Sequence, residues 1–136
     1  MSGGLVLDAS ALVAEFLEEL GGRRIRIEMD GASILHAPKW AKVEVVGVLS
    51  KRIAQRGIEI DEALDFFAEL NRSRIVWDDV PDSDLVRAVE LGFKYRISAY
   101  DMLYVLLALR LNSKVLTADM HFVRAAAAHG LPVFTA

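Results

Sequence analysis

The segment LVLDASALVAEF, residues 5–16, places an apolar triplet, an acidic turn and an amphipathic stretch in direct succession. Leu5–Leu7 is predicted to form a buried strand, because three branched aliphatic residues follow one another. A turn follows at residues 8–10, and apolar residues from Leu12 to Leu20 then recur at helical spacing until two glycines end the helix. A strand followed at once by a helix is the unit from which parallel α/β sheets are built.

The rest of the chain continues this alternation of strands and helices. Further short apolar runs predict strands at residues 33–36, 75–77, 115–117 and 133–134. Helices are predicted over 23–29, from Pro38 to about Arg56, over 61–70, from Pro81 to Gly92, from Ser98, and from Asp119. The helix that begins at Ser98 is predicted to have one apolar face, formed by Tyr100, Leu103, Tyr104, Leu107 and Leu111. The 136 residues are therefore expected to form one domain, a three-layer α/β/α sandwich with a central, mainly parallel sheet of about five short strands.

Composition limits the functions that the chain can have. It contains no cysteine, which excludes a disulfide framework, a zinc–thiolate site and a cysteine nucleophile. No apolar run approaches the ~20 residues that span a bilayer, and the N-terminus lacks the basic region of a signal peptide. We therefore expect a cytoplasmic protein with no membrane contact. The net charge is −3, so binding of nucleic acid would require a local basic patch or bound cations.

Some carboxylates lie in apolar surroundings, unlike most acids of the chain. They are Asp8, Glu44, Asp101 and Asp119. In parallel α/β sheets, ligands bind at the carboxyl ends of the strands near the switch point, which is where Asp8 and Asp119 are expected. Glu44 and Asp101 lie on predicted helices that can lean over the same edge. Each aspartate could instead only cap a helix, since Ser98 to Asp101 fits a capping box, and Glu44 could belong to an exposed stripe.

A cluster of these carboxylates cannot ionise fully without compensating charge. Carboxylate oxygens in an open site suit Mg²⁺ or Mn²⁺. Such an ion would lower the pKa of a bound water and hold the oxygens of a phosphodiester. The hydroxyls of Ser10, Ser98 and Thr117 are placed to orient the carboxylates, or are helix-start hydroxyls without a part in the chemistry.

Segments in the expected order together resemble the PIN domain family. They are VLDASAL (6–12), VEV (43–45), ISAYDMLY (97–104) and LTAD (116–119). The resemblance implies a metal-dependent endoribonuclease that cleaves single-stranded RNA by attack of an activated water. It also implies that Asp8, Glu44, Asp101 and Asp119 are the catalytic ligands of Mg²⁺ or Mn²⁺. Small members are similar to VapC toxins, so the resemblance further implies a type II toxin, a homodimer and a cognate antitoxin protein.

Other readings of the sequence stay open at this point. Residues 120–123 contain no acid, so the sequence leaves open whether one or two ions bind. A catalytically idle PIN-like module that binds RNA or a protein is the alternative function. A nuclease acting on DNA is a further alternative, because no residue pattern in the sequence indicates recognition of the 2′-hydroxyl that distinguishes RNA from DNA. The chain lacks a Gly-rich turn after the first strand and a Gly-x-Ser-x-Gly motif, which argues against a dinucleotide fold and a nucleophile elbow.

Overall fold

The computed structural model of the protein describes residues 3–17 and 21–136. Within these ranges strands and helices alternate as predicted. Along the chain the elements are β1 (Leu5–Leu7), α1 (Ala9–Phe16), α2 (Gly22–Gly31), β2 (Leu35–Pro38), α3 (Ala41–Ala54), α4 (Ile60–Arg72), β3 (Ile75–Asp78), α5 (Asp82–Tyr95), α6 (Ala99–Arg110), β4 (Lys114–Leu116), α7 (Met120–Ala127) and β5 (Val133–Phe134).

The strands form one parallel sheet in the order β3-β2-β1-β4-β5. The chain runs outward from β1 through β2 to β3 and then crosses to β4, on the other side of β1. The switch point therefore lies between β1 and β4, where Leu7 is in register with Leu116. The predicted three-layer α/β/α sandwich with a parallel sheet of five strands is confirmed.

The core is centred on β1, β4 and helix α6, which packs against both strands and against α5. The prediction of one apolar face on α6 is wrong, because every residue from Met102 to Ala108 is buried. A helix that is apolar all round belongs in the interior, and α6 lies between the sheet and α5. Tyr100, assigned to the apolar face, is 63% exposed instead. Within the described residues, no helix has the length and apolar character needed to cross a bilayer.

The start of the long helix α3 differs from the prediction. Pro38 does not begin this helix; it is the last residue of β2, in register with Asp78 of β3. Pairing with β3 continues past it, since the backbone N–H of Lys39 donates to the carbonyl oxygen of Asp78 at 2.9 Å. Proline lacks an N–H, but β1 pairs with β2 only at Leu35 and His36, so no hydrogen bond to β1 is lost at this position.

The first helix was predicted to extend to Leu20, which lies outside the described residues. Within them, α1 ends at Phe16 with Leu17 as its C-cap. The predicted helix over 23–29 is α2, and Gly22 is its first residue. A side chain at this position could not fit, because a Cβ on Gly22 would lie 2.2 Å from the carbonyl oxygen of Ala14. The glycine therefore lets α1 and α2 approach each other closely.

The last turn of α5 and the bounds of β4 also differ from the prediction. Helix α5 continues past Gly92 to Tyr95 and ends at Arg96, which has a left-handed backbone with φ of 57°. Gly92 is buried inside the helix, where a Cβ would lie 2.7 Å from the carbonyl oxygen of Ile97. The glycine thus marks a close approach of the following loop rather than a helix end. Strand β4 lies one residue earlier than predicted, at Lys114–Leu116.

Candidate active site

The four acidic residues singled out in the sequence come from four different elements. Asp8 directly follows β1, and Asp119 follows β4, so these two lie on either side of the switch point. Glu44 is in the first turn of α3 and Asp101 in the first turn of α6. The charges interact, because Asp101 raises the pKa of Asp8, while Asp119 and Glu44 both raise that of Asp101. The fold thus brings together the residues that the sequence pattern selected, which we call the acidic cluster.

Asp8 is the most deeply placed member of the acidic cluster, with 5% of its surface exposed. Its Oδ1 accepts hydrogen bonds from the backbone N–H of Ala11 at 2.9 Å and from the Ser10 hydroxyl at 2.7 Å. Its Oδ2 accepts one from the Thr117 hydroxyl at 2.5 Å. Asp8 is therefore the N-cap of α1, as predicted, and it also lies close enough to Asp101 for the charge of Asp101 to raise its pKa.

Two hydroxyls tie the loops after β1 and β4 together. The oxygens of Ser10 and Thr117 lie 3.0 Å apart. The Ser10 oxygen also accepts from the backbone N–H of Ala118 at 3.1 Å, and the Thr117 oxygen accepts from that of Asp119 at 3.0 Å. The Ser10 hydroxyl contacts the carboxylate of Asp8, its neighbour in sequence, whereas the Thr117 hydroxyl contacts the carboxylate of Asp8 instead of that of Asp119. The two hydroxyls also set the distance between the two loops that carry Asp8 and Asp119.

Asp119 and Asp101 both lie at helix starts, nearer the surface than Asp8. Oδ1 of Asp119 accepts from the backbone N–H groups of His121 at 2.9 Å and Phe122 at 3.3 Å, which caps α7. The Ser98 hydroxyl accepts from the backbone N–H of Asp101 at 3.0 Å, so Ser98 caps α6, as predicted for the start of that helix. A hydrogen bond from Ser98 to the side chain of Asp101 also lowers the pKa of that carboxyl, although burial outweighs it.

Burial dominates the electrostatics of the acidic cluster. It raises the pKa of Asp8 to about 6, although hydrogen bonds from Thr117, Ser10 and Ala11 favour the ionised form. Burial likewise raises the pKa of Asp101 to about 6, and the neighbouring negative charges of Asp119 and Glu44 add to the effect. The carboxylates are thus held together at a cost in free energy that a bound cation would remove.

Tyr104 belongs to the same site, although the sequence pattern assigned it only to an apolar helix face. Its hydroxyl donates to Oε1 of Glu44 at 2.7 Å and accepts from the backbone N–H of Ala9 at 3.3 Å. Burial and the charge of Glu44 raise its pKa, so the hydroxyl keeps its proton. The signal was present in the sequence: a tyrosine within an apolar helix needs a partner for its hydroxyl, and Tyr104 lies one turn after Asp101.

The fit of a divalent ion can be judged from the donor atoms. In residues 3–17 and 21–136, no group of three or more His, Cys, Asp or Glu side chains forms a ready-made metal cage. Mg²⁺, however, usually keeps several waters and needs only one or two carboxylates. Oε2 of Glu44 and Oδ2 of Asp119 receive no hydrogen bond from the described residues, and Oδ2 of Asp8 receives only one. These hard oxygen donors fit a hydrated divalent ion in an open site.

The chain is similar in sequence to known proteins. The profile of the PIN domain family matches residues 5–128. A curated relative, Ribonuclease VapC3 of Pyrobaculum aerophilum, is 29% identical over 116 residues, which cover 85% of this chain and 88% of the relative.

Two solved structures share the fold. PAE2754 from Pyrobaculum aerophilum superposes with a TM-score of 0.65 at 17% identity, covering 99% of this chain and 90% of that protein. VapBC2 from Rickettsia felis, solved with a DNA fragment from the promoter, superposes with a TM-score of 0.66 at 14% identity. The match covers 97% of this chain and 98% of the solved chain. The resemblance inferred from the four sequence segments is confirmed, and the chain belongs to the PIN domain family.

Proposed function

We propose that the protein is a Mg²⁺- or Mn²⁺-dependent endoribonuclease that cleaves single-stranded regions of RNA. The observation that carries the proposal is the acidic cluster at the switch point, which has no Lys or Arg ion-pair partner among the described residues. The relative named Ribonuclease VapC3 supports the choice of RNA as the substrate. A divalent ion also explains how a protein of net charge −3 can hold a polyanion.

In this proposal each part of the site has a defined task. Asp8, Glu44, Asp101 and Asp119 are the catalytic residues, because their carboxylates would hold the ion. When bound, a divalent ion supplies the positive charge that acidifies a water and stabilises the charge that develops on the phosphodiester. Ser10 and Thr117 hold Asp8 in one orientation through the hydrogen bonds to its two oxygens. Ser98 holds the start of α6, which carries Asp101.

We further propose that the protein is the toxin of a type II toxin–antitoxin pair, acting in the cytoplasm. The proposal is supported by the names of its relatives, a VapC ribonuclease and a VapBC complex. A homodimer is part of the proposal, and the apolar stripe Val86, Val89 and Phe93 on the exposed side of α5 suits a second copy. A short antitoxin-like reading frame beside the gene would support the toxin role, and an isolated gene would contradict it without affecting the nuclease.

The test is cleavage of a mixed, structured RNA by purified protein in Mg²⁺, in Mn²⁺ and in EDTA. We expect cleavage that needs the metal and falls by about 100-fold or more in Asp8→Asn and in Asp101→Asn, since each removes a charged ligand. Asp82→Asn is the matched control, because Asp82 is an exposed acid in the first turn of α5, the same place that Asp101 has in α6.

Different outcomes separate the competing functions. Equal activity in wild type and both cluster variants would mean that a contaminant cleaves the RNA. Folded protein that binds RNA without cleaving it would support the idle binding module instead. Cleavage of single-stranded DNA of matching sequence at the same rate would contradict the assignment of RNA as the substrate.

A further inference from the structure

The hydroxyl of Tyr104 bridges two parts of the acidic site from the inside of the protein. Tyr104 is 1% exposed. Its hydroxyl donates to Oε1 of Glu44 on α3 and accepts from the backbone N–H of Ala9, the first residue of α1. One buried oxygen on α6 therefore connects the helix that carries Glu44 with the residue directly after Asp8.

Glu44 differs from the three aspartates in how it is held. Asp8 and Asp119 are anchored by backbone N–H groups at the starts of their own helices, and Asp101 lies in a first turn capped by Ser98. Glu44 has a longer side chain, and its carboxylate accepts one hydrogen bond from the described residues, that of Tyr104. Without this bond, nothing in the described part of the chain would fix the direction of the carboxylate.

The choice of tyrosine over phenylalanine also needs a reason. The ring alone would fill the core, where it packs against Trp40 with centroids 4.7 Å apart. A buried hydroxyl is unfavourable unless it is hydrogen-bonded, and both partners of this one belong to the acidic site. The hydroxyl therefore serves the geometry of the site rather than the packing.

We infer that Tyr104 is the positioning residue of the acidic site: it fixes Oε1 of Glu44 and thereby directs Oε2 toward the ion held with Asp8. The inference rests on the proposed metal-dependent function. Partners that orient metal ligands typically change metal affinity or activity by about 10- to 100-fold when removed. The same size of effect is expected here, because the bond to Glu44 is both buried and charge-assisted.

The experiment measures Mn²⁺ binding by isothermal titration calorimetry in wild type and in Tyr104→Phe. The variant keeps the ring and loses only the hydroxyl. We expect Mn²⁺ to bind about tenfold more weakly, and the Mn²⁺ concentration for half-maximal RNA cleavage to rise to the same degree. The control is Tyr100→Phe on the same helix, whose exposed hydroxyl makes no hydrogen bond within residues 3–17 and 21–136. Tyr100→Phe is expected to match wild type.

A second variant tests whether Tyr104 acts through Glu44. In a Glu44→Gln background, Tyr104→Phe should weaken Mn²⁺ binding little further, because the carboxylate that the hydroxyl directs is already gone. Additive losses in the double variant would overturn the inference. A Tyr104→Phe protein that is less heat-stable but binds Mn²⁺ as wild type does would also overturn it, because the hydroxyl would then serve stability alone.

Failure of this inference can be told apart from failure of the proposed function. Wild type that neither binds Mn²⁺ nor cleaves RNA overturns both, whereas metal-dependent wild type with an unaffected Tyr104→Phe overturns only the role of Tyr104. If Tyr104→Phe does not fold, Glu44→Asp tests the same bond from its other end, since it keeps the charge and withdraws the carboxylate. Unchanged Mn²⁺ binding in Glu44→Asp overturns the inference, because the carboxylate would then not need its bond to Tyr104 to hold the ion.

Discussion

Two sets of acidic residues in this protein are neutralised in different ways. Four of the described acids outside the cluster are paired with basic side chains of the same chain. These pairs are Glu15 with Arg26, Asp78 with His36, Asp79 with Lys39, and Asp84 with Arg110. The acidic cluster has no such pair with Lys or Arg within the described residues, although Asp8 is more buried than any acid of the first set. Within the described residues the charge of His121 lowers the pKa of Asp101, but burial and the neighbouring acids outweigh it. In the proposed function, a bound cation supplies the remaining positive charge.

The difference separates acids that form ordinary surface ion pairs from acids whose arrangement is suited to binding a cation. An ion pair on the surface contributes little to the free energy of unfolding, so replacing its acid changes stability little. A buried acid next to other acids lowers stability, because both burial and like charge oppose its ionisation. Among the described residues the effect is strongest in the acidic cluster, where burial raises the pKa of Asp8 and of Asp101 to about 6. Burial also raises the pKa of Glu15, but there the charge of Arg26 opposes the effect. Loss of stability at a binding site is a common consequence of function.

The largest effect that would sharpen this comparison is the stabilisation of the folded protein by Mn²⁺, together with the pH dependence of stability that appears without metal. The pKa of Asp8 is about 6 in the folded state against 3.8 for the free side chain, so between these values the native state binds more protons than the unfolded state. The free energy of unfolding therefore falls as the pH rises from 5 to 7, by about 1 kcal/mol from Asp8 alone. Asp101 acts in the same direction with a smaller share, since it is more exposed.

Urea denaturation in EDTA at pH 5 and pH 7 measures this change, and Mn²⁺ should reverse it. At 100 times its dissociation constant, an ion that binds only the folded state adds about 2.7 kcal/mol. Asp8→Asn is expected to show a weaker pH dependence and a smaller stabilisation by Mn²⁺. The same pH profile in Asp8→Asn and wild type would break the comparison, because the cluster would then not be the source of the instability.

A smaller effect is expected from the hydroxyl that supports Asp8. Thr117→Val removes the donor to Oδ2 of Asp8 and the acceptor for the backbone N–H of Asp119, at a position that is fully buried. The free energy of unfolding should fall by about 2 kcal/mol, since buried polar groups lose their partners. Denaturant unfolding measures the change. Thr117→Ser, which keeps the hydroxyl, should retain most of the stability; equal losses in both variants would point to packing as the cause.

The smallest effect is expected at the paired surface acids. Asp79→Asn breaks the ion pair with Lys39, whose atoms are 2.9 Å apart and whose two side chains are largely exposed. The free energy of unfolding should change by less than about 0.5 kcal/mol, and metal-dependent cleavage should be unchanged. A loss comparable to that of Thr117→Val would contradict the division of the acids into two sets.

The local pattern was enough to find most elements and the acids of the cluster. Asp8 and Asp119 stand out because each follows an apolar strand and precedes a helix, and both do cap the helix that follows. The wrong predictions concern residues that usually mark helix ends but here serve a contact with another part of the chain. Pro38 ends a strand instead of starting a helix, and Gly92 admits a neighbouring loop instead of ending α5. Proline and glycine indicate that the backbone is constrained at their position, but they do not indicate which secondary-structure element contains that position.

What the sequence determined by itself is the order of strands and helices, the N-caps of α1, α6 and α7, and the identity of the acids. These follow from periodicity and from neighbours within a few residues. The tertiary structure alone decided that β4 lies next to β1 and that the loops after these strands are joined through Ser10 and Thr117. It also decided that Tyr104 contacts Glu44, 60 residues away. Such contacts depend on how the chain crosses the sheet and which helix is covered on all sides, and no short segment of sequence contains that information.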